Sequence, residues 1–337
     1  MRALLCCLLA VSAFARGAES PAPQSRPDVA RLRLVRPAQY TGMCDASGAV
    51  AVNSNLFVVA SDEDNILRVY RADQPGAAVK EFDFNGFLEV QGKSLEADLE
   101  GAALIGGRAF WIGSHGRNKN GKERFNRHRL FATDIHVNEG DVSLIPVGIP
   151  YKRLLEDLLQ DARFQEFHFE EAARHAPEEP GALNIEGLSA TAEGHLLIGF
   201  RSPVPAGKSL LIPLLNPNEV MEGKPGNFGS AVQLDLGGLG IRDIAWHEGV
   251  YLIIAGASHG GGHFQLYRWA GPGAKPEPLR VKHLDEYHPE ALIIYPHLGL
   301  RKFQVLSDDG TYLIDECPCK ELKDPHRRTF RSFWLAP

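Results

Sequence analysis

The sequence predicts an all-β fold, a β-propeller of four-stranded antiparallel blades, and three observations carry that prediction. A short opening that pairs a polar or acidic residue with an apolar run recurs five times: Asp45-Ala-Ser-Gly-Ala-Val, Asp98-Leu-Glu-Gly-Ala-Ala, Asn184-Ile-Glu-Gly-Leu-Ser, Ile241-Arg-Asp-Ile-Ala-Trp and His288-Pro-Glu-Ala-Leu-Ile. Each copy is followed by further β-rich runs separated by turn residues. The spacing of the copies suits blades joined by loops of variable length.

The elements follow in order. Met1-Arg2, an apolar run from Ala3 to Ala15 and the small-residue site Ala13-x-Ala15 read as a secretory signal peptide over 1–15. The Pro-, Ser- and Ala-rich stretch 16–28 reads as a flexible leader, and 29–337 as one propeller domain. The expected location is periplasmic or extracellular. No segment is long and apolar enough to predict a membrane span. Arg31 to Val35 reads as one extra strand that closes the ring by joining the last blade.

The second strands are expected at Leu56 to Ala60, Ala109 to Gly113, His195 to Phe200, Tyr251 to Ala255 and Phe303 to Leu306. Third strands follow at Ile66 to Arg71, Arg129 to Ile135, Leu210 to Leu215, Phe264 to Trp269 and Thr311 to Asp315. Fourth strands follow at Val79 to Phe84, Val142 to Val147, Ala231 to Leu236, Pro278 to His283 and Thr329 to Trp334. Five blades are preferred, with six as the alternative if an irregular sheet hides in a long loop. Tyr151, Leu154, Leu155, Leu158, Leu159 and Ala162 recur at helical spacing, and Phe169 to Ala176 forms a second short candidate helix. This insertion, about 151–176, lies between units two and three and either covers a blade side or overhangs the mouth.

Composition bounds function. A net charge of −6 spread along 337 residues gives no reason to expect nucleic acid, and no nucleotide fingerprint, phosphate loop or zinc-protease motif is present. The chain reads as a monomer. Three cysteines remain after cleavage, Cys44, Cys317 and Cys319. Cys44 precedes an inner strand at the mouth, whereas Cys317 and Cys319 follow the expected third strand Thr311 to Asp315 on the opposite face. A disulfide between Cys44 and either is therefore not expected.

Aligning the units places Ser47, Glu100, Glu186, Asp243 and Glu290 in one column. Asp62, His115, Arg201 and Ser258 stand fifteen residues further on, and Asp308 eighteen, after the longer turn Pro296 to Arg301. The start of one strand and the end of its antiparallel partner are neighbours, so the columns predict a double ring at one end of the channel, with Glu186 beside Arg201. Carboxylates so close need protons, arginine or a cation between them. Glu100, Glu186, Asp243, Glu290, Asp62 and Asp308 are thus candidate ligands for calcium or magnesium, set against the plainer alternative of acids lining a wet channel.

The loop from Ser114 to Arg129 is basic, and Arg117, Arg127 and Arg201 are candidate clamps for a small anionic ligand. Gly256-Ala-Ser258-His-Gly260 matches a nucleophile-elbow pattern without the strand-to-helix turn that motif needs.

The combination of N-I-E-G-L-S at 184–189, I-G-F-R-S-P at 198–203, G-S-H-G-R-N at 113–118 and G-I-R-D-I-A-W at 240–246 resembles the bacterial family catalogued as domain of unknown function 3616. The resemblance runs from about Thr41 to Asp315 and implies the fold more than an activity. A weaker similarity, through the Glu-Gly openings, is to the esterase-like phytase propellers, which implies a hydrolase of phosphate or carboxylic esters. Two functions are carried from these readings. One is a metal-assisted phosphoesterase or esterase with His115 as acid or base and Arg201 and Glu186 in the site; the other is a non-catalytic propeller that binds a ligand or protein on the same face.

Overall fold

The computed structural model describes residues 31–337. The signal peptide and leader expected over 1–28 lie outside the described residues. Four successive stretches each fold into a four-stranded antiparallel sheet. Unit one comprises Ala49–Ala51, Leu56–Val59, Ile66–Arg71 and Lys80–Asp83. Unit two comprises Leu99–Ile105, Arg108–Gly113, Leu130–Asn138 and Asp141–Tyr151. Unit three comprises Asn184–Ala190, Leu196–Ser202, Ser209–Leu214 and Val232–Leu234. Unit four comprises Gly240–His247, Val250–Gly256, Gln265–Trp269 and Glu277–Val281.

Unit five draws on both ends of the chain. Pro289–Ile293 pairs with Phe303–Ser307, which pairs with Thr329–Ala336, and the outermost place is taken by Arg31–Thr41. A two-residue parallel pairing, Arg31–Leu32 with Arg280–Val281, joins this sheet to unit four. The closing strand was legible in the sequence. The expected third strand at Thr311 to Asp315 is not part of the sheet: Leu313–Ile314 pairs only with Cys317–Pro318 in a small separate hairpin. The whole of 308–328 is therefore a connection between the second and third strands of unit five, and it leaves and re-enters the sheet on the mouth side.

That difference overturns the cysteine expectation. Cys44 and Cys319 form a disulfide, with Cα atoms 5.8 Å apart, and Cys317 is free. The backbone repeats the connection, since the Asp309 N–H donates to Cys44 O at 3.0 Å.

The first strand of each unit lies beside that of the next, and that of unit five beside that of unit one, so the five first strands form a closed ring. The recurring glycine explains how closely they approach. A Cβ on Gly48 would stand 2.6 Å from the Gly101 carbonyl carbon, one on Gly101 2.7 Å from Glu186 O, and one on Gly187 2.7 Å from Ile241 Cγ2. Apolar side chains fill the wedges between neighbouring sheets, Trp111 and Phe131 between units one and two and Tyr40, Phe57 and Phe330 between units five and one.

The insertion folds as helix Leu154–Gln160, tight turns over Ala162–Phe167 and a single turn at Phe169–Ala172. Leu154, Leu155 and Leu158 are buried, but Leu159 is 40% exposed and is not part of the apolar stripe. Phe169 stacks on Phe200 at 5.1 Å, so the insertion is packed on unit three. No helix among the described residues is long and apolar enough to cross a membrane.

Candidate functional site

One residue in each of units two to five is skipped by the strand pairing, and it is this bulge that sets the site. In unit two the register passes from Leu99 to Gly101, in unit three from Ile185 to Gly187, in unit four from Ile241 to Asp243 and in unit five from Pro289 to Ala291. The residues left over are Glu100, Glu186, Arg242 and Glu290. A bulge re-aims its side chain out of the ladder, and here the four gather at one end of the ring.

The sequence alignment of unit four was therefore one residue out. Asp243 stands in the glycine column, and Arg242 stands with the glutamates. The Asp243 carboxylate accepts N–H bonds from Ile244 at 2.8 Å and from Leu292, in the first strand of unit five, at 2.6 Å. Where units one to three use glycine for close approach, unit four uses this carboxylate to span to its neighbour, and it is not a ring ligand. Burial pushes its pKa up to about 8, with the two N–H donors opposing the rise. Asp243→Asn places an amide against a backbone N–H, and a loss of about 1–3 kcal/mol in urea unfolding is expected. A raised carboxyl pKa destabilises the fold as pH rises from the unfolded to the folded value. The variant accordingly loses the part of the decline between about pH 4 and 8 that Asp243 causes, which unfolding at a series of pH values would read.

Arg242, which the sequence reading did not select, is the centre of the compensated half of the ring. Its Nε lies 3.0 Å from Glu186 Oε2 and donates to Glu290 Oε2 at 2.8 Å, and a second short bond runs to Glu290 Oε1. Burial opposes its charge, but Glu186 and Glu290 hold its pKa above the ordinary value. The expected pair is also present: Arg201 Nη1 is 3.1 Å from Glu186 Oε1. Arg201 further donates to Ala257 O at 3.1 Å, and Asn184 donates to Glu186 Oε1 at 2.8 Å. Burial raises Glu290 to about 8 even with Arg242 opposing.

The other half of the ring is acidic and short of cations. Asp62, Asp98 and Glu100 each offer an oxygen, and these oxygens lie within 4.8 Å of one another. Asp45, Asp62 and Glu63 form a second such group that shares Asp62. Asp62 Oδ1 and Asp45 Oδ1 are buried without a hydrogen-bond partner. Burial, reinforced by neighbouring carboxylates, drives the pKa of Asp62 and of Glu100 well above the ordinary range. Asp98 rises only to about 6, because Arg127 Nη1 sits 2.8 Å away. Asp308 is held low against its burial by a hydrogen bond from Asp45 and by the Gly310 N–H at 2.9 Å. These oxygen groups are of a kind that can hold a metal ion.

Asp45 and Asp98 were within reach of the sequence. They are the first letters of the openings Asp45-Ala-Ser-Gly and Asp98-Leu-Glu-Gly, and with Asn184 they form a column two residues before Ser47, Glu100 and Glu186.

The remaining candidates are placed elsewhere. Strand pairing sets Gly113 opposite Leu99 and Ala255 opposite Ile241, so Ser114 and Gly256 match Arg201, while His115 and Ser258 fall one and two residues beyond it. Their hairpins are one residue shorter than that of unit three. His115 is buried, with Nδ1 2.8 Å from Gly113 O and its ring stacked on His128 at 5.3 Å. Burial, then His128, lowers its pKa to about 3, so it stays neutral. Ser258 faces only its neighbour, with Oγ 3.1 Å from His259 Nδ1. Arg117 donates to Ala173 O at 2.7 Å and to Gly121 O at 3.0 Å, and Arg127 is taken up by Glu96 and Asp98. The three arginines proposed as an anion clamp are thus separately occupied.

Residues 45–147 and 150–291 match the model of a family described as Protein of unknown function (DUF3616). The chain belongs to this family. The matched DUF3616 segments take in both oxygen groups and the Arg242 contacts, from Asp45 through Glu290. No curated protein matches. Solved structures similar to this DUF3616 member include the Myxococcus xanthus glutaminyl cyclase, at 12% identity over 90% of this chain and 97% of that one with a TM-score of 0.42. Another is an exo-β-1,3-galactanase of Clostridium thermocellum, at 9% identity over 85% of this chain and 58% of that one with a TM-score of 0.43. Neither likeness bears on activity.

Proposed function

We propose that this DUF3616 protein is a five-bladed β-propeller that holds a divalent cation at one end of its channel and uses it to bind and hydrolyse an anionic ester outside the cytoplasm. The closed ring of first strands and the closing strand Arg31–Thr41 support the blade count. The Cys44–Cys319 disulfide supports an oxidising compartment. The observation that carries the reading is the meeting of Asp62, Asp98 and Glu100 from units one and two, with Asp62 Oδ1 buried and unpartnered.

An all-oxygen donor set suits calcium, or magnesium that keeps its waters. Such a cation lowers the pKa of a bound water and polarises an ester oxygen. No side-chain base is then required, which fits the neutral His115, held on Gly113 O through Nδ1, and the ion pairing of Glu186 with Arg201 and Arg242. The anion would bind to the cation itself, since Arg117, Arg127 and Arg201 are engaged.

The same engagement of His115 and the arginines favours a second reading, a cation-dependent binder without turnover. Hydrolysis of aryl phosphates and aryl esters separates the two. The enzyme reading expects turnover that chelation abolishes and that Glu100→Gln lowers by about 100-fold or more. Turnover indifferent to chelation contradicts both, and cation binding without turnover leaves the binder.

A further inference from the structure

The structure assigns a second divalent cation to Asp45, Asp62 and Glu63, with Asp62 bridging it to the cation proposed at Asp62, Asp98 and Glu100. This inference rests on the cation reading above and extends it from one ion to a pair.

The first support is geometric. One oxygen each from Asp45, Asp62 and Glu63 lie within 4.8 Å of one another, and Asp62 is the member common to both groups. A carboxylate with two oxygens can face two cations, the arrangement by which paired ions share a ligand at separations of about 3.5–4 Å.

The second support is independent of the clustering. Asp45 is 3% exposed, yet its Oδ1 has no hydrogen-bond partner. A buried carboxylate oxygen without a donor is costly, and such a group in a folded protein calls for a partner. Gly310 lies against that same oxygen and leaves no room there for a Cβ. Gly310 thus admits the Asp45 carboxylate, which the segment 308–328 holds down through the Cys44–Cys319 disulfide.

Charge agrees. Asp45, Asp62, Asp98, Glu100, Glu186, Glu290 and Asp308 influence one another across the ring, and the guanidiniums among them are Arg127, Arg201 and Arg242. With Glu63 added, the carboxylates outnumber these guanidiniums, an excess of the sign that cations offset. Glu63 is exposed and gives the outer ion its opening to solvent. Two hard cations side by side suit a ligand with two negatively charged oxygens, such as a phosphate monoester, and a monoanionic carboxylic ester suits them less well.

Calorimetric titration of calcium into the chelator-stripped full chain tests this. Two sites are expected in the unaltered protein, one in Asp45→Asn, one in Glu100→Gln and none in Asp62→Asn. Should Asp45→Asn fail to fold, Glu63→Gln at the exposed ligand decides, with one of two sites expected to weaken by about ten-fold or more. A single site lost in Glu100→Gln and unchanged in Asp45→Asn or Glu63→Gln overturns the second cation and leaves the first; that result would mean a proton shared by Asp45 and Asp308. No calcium site at all overturns both.

Discussion

Arg242→Met is expected to cost about 3–5 kcal/mol of stability at pH 7, because it leaves Glu186 and Glu290 buried without their shared cation. Both glutamates are almost fully enclosed, at 2% and 6% exposure, and Arg242 touches each. Methionine fills much of the same volume, so the loss reads charge rather than a cavity. Urea unfolding measures it, and the triple variant with Glu186→Gln and Glu290→Gln should recover most of the loss. The deficit also depends on pH with a definite sign. Glu290 already has its pKa raised from 4.5 to about 8 by burial, with Arg242 opposing, and removing Arg242 raises it further. The unaltered folded protein keeps the Glu290 proton up to about pH 8 and the variant keeps it to higher pH, so the stability of the variant goes on falling where that of the unaltered protein levels off. The deficit against the unaltered protein is therefore constant on this account below about pH 8 and grows above it. A loss under about 1 kcal/mol at pH 7 would mean that water or another cation replaces Arg242.

Breaking the Cys44–Cys319 bridge is the second large effect. The two cysteines are 275 residues apart in sequence, and opening a bridge across so long a loop is expected to cost about 2–5 kcal/mol. The bridge ties the opening of unit one to the connection 308–328 of unit five, next to the closing strand Arg31–Thr41. It therefore restrains the seam at which the two ends of the chain meet. The double variant Cys44→Ala, Cys319→Ala, compared with the oxidised protein by urea unfolding, measures the loss. Cation binding should weaken in the same variant, because Asp45 follows Cys44 directly. Equal stability with and without the bridge would show that the strand pairing of Arg31–Thr41 with Thr329–Ala336 closes the ring alone.

What the sequence disclosed and what it hid have one physical origin. Alternating apolar runs and turn residues mark strands, so the four-stranded units and the N-terminal closing strand were legible. The Glu186–Arg201 pair was legible too, because the hairpin joining them has the length that the alignment assumed. A β-bulge leaves no compositional mark. In unit four it selects Arg242 over Asp243, and no count of spacing separates two adjacent polar residues. His115 and Ser258 were misplaced for a related reason: a hairpin one residue shorter moves every later residue along the strand. Thr311 to Asp315 has the composition of a strand but no neighbour to pair with, and that one error carried Cys317 and Cys319 to the wrong face. The basic loop was read as offering Arg117 and Arg127 to an anionic ligand, whereas Arg117, Arg127 and Arg129 turn inward to carbonyls and carboxylates that the sequence does not place.

The acidic half of the ring, Asp62 with Asp98 and Glu100, is proposed as a cation site. The most direct measurement is the thermal unfolding of the chelator-stripped protein with and without millimolar calcium, alongside Glu100→Gln. Binding to the folded state alone raises apparent stability, by about 2.7 kcal/mol when calcium is at a hundred times its Kd. A clear upward shift of Tm in the unaltered protein that shrinks in Glu100→Gln is the predicted result. An unchanged Tm with calcium or magnesium, or a shift that Glu100→Gln leaves intact, would contradict it.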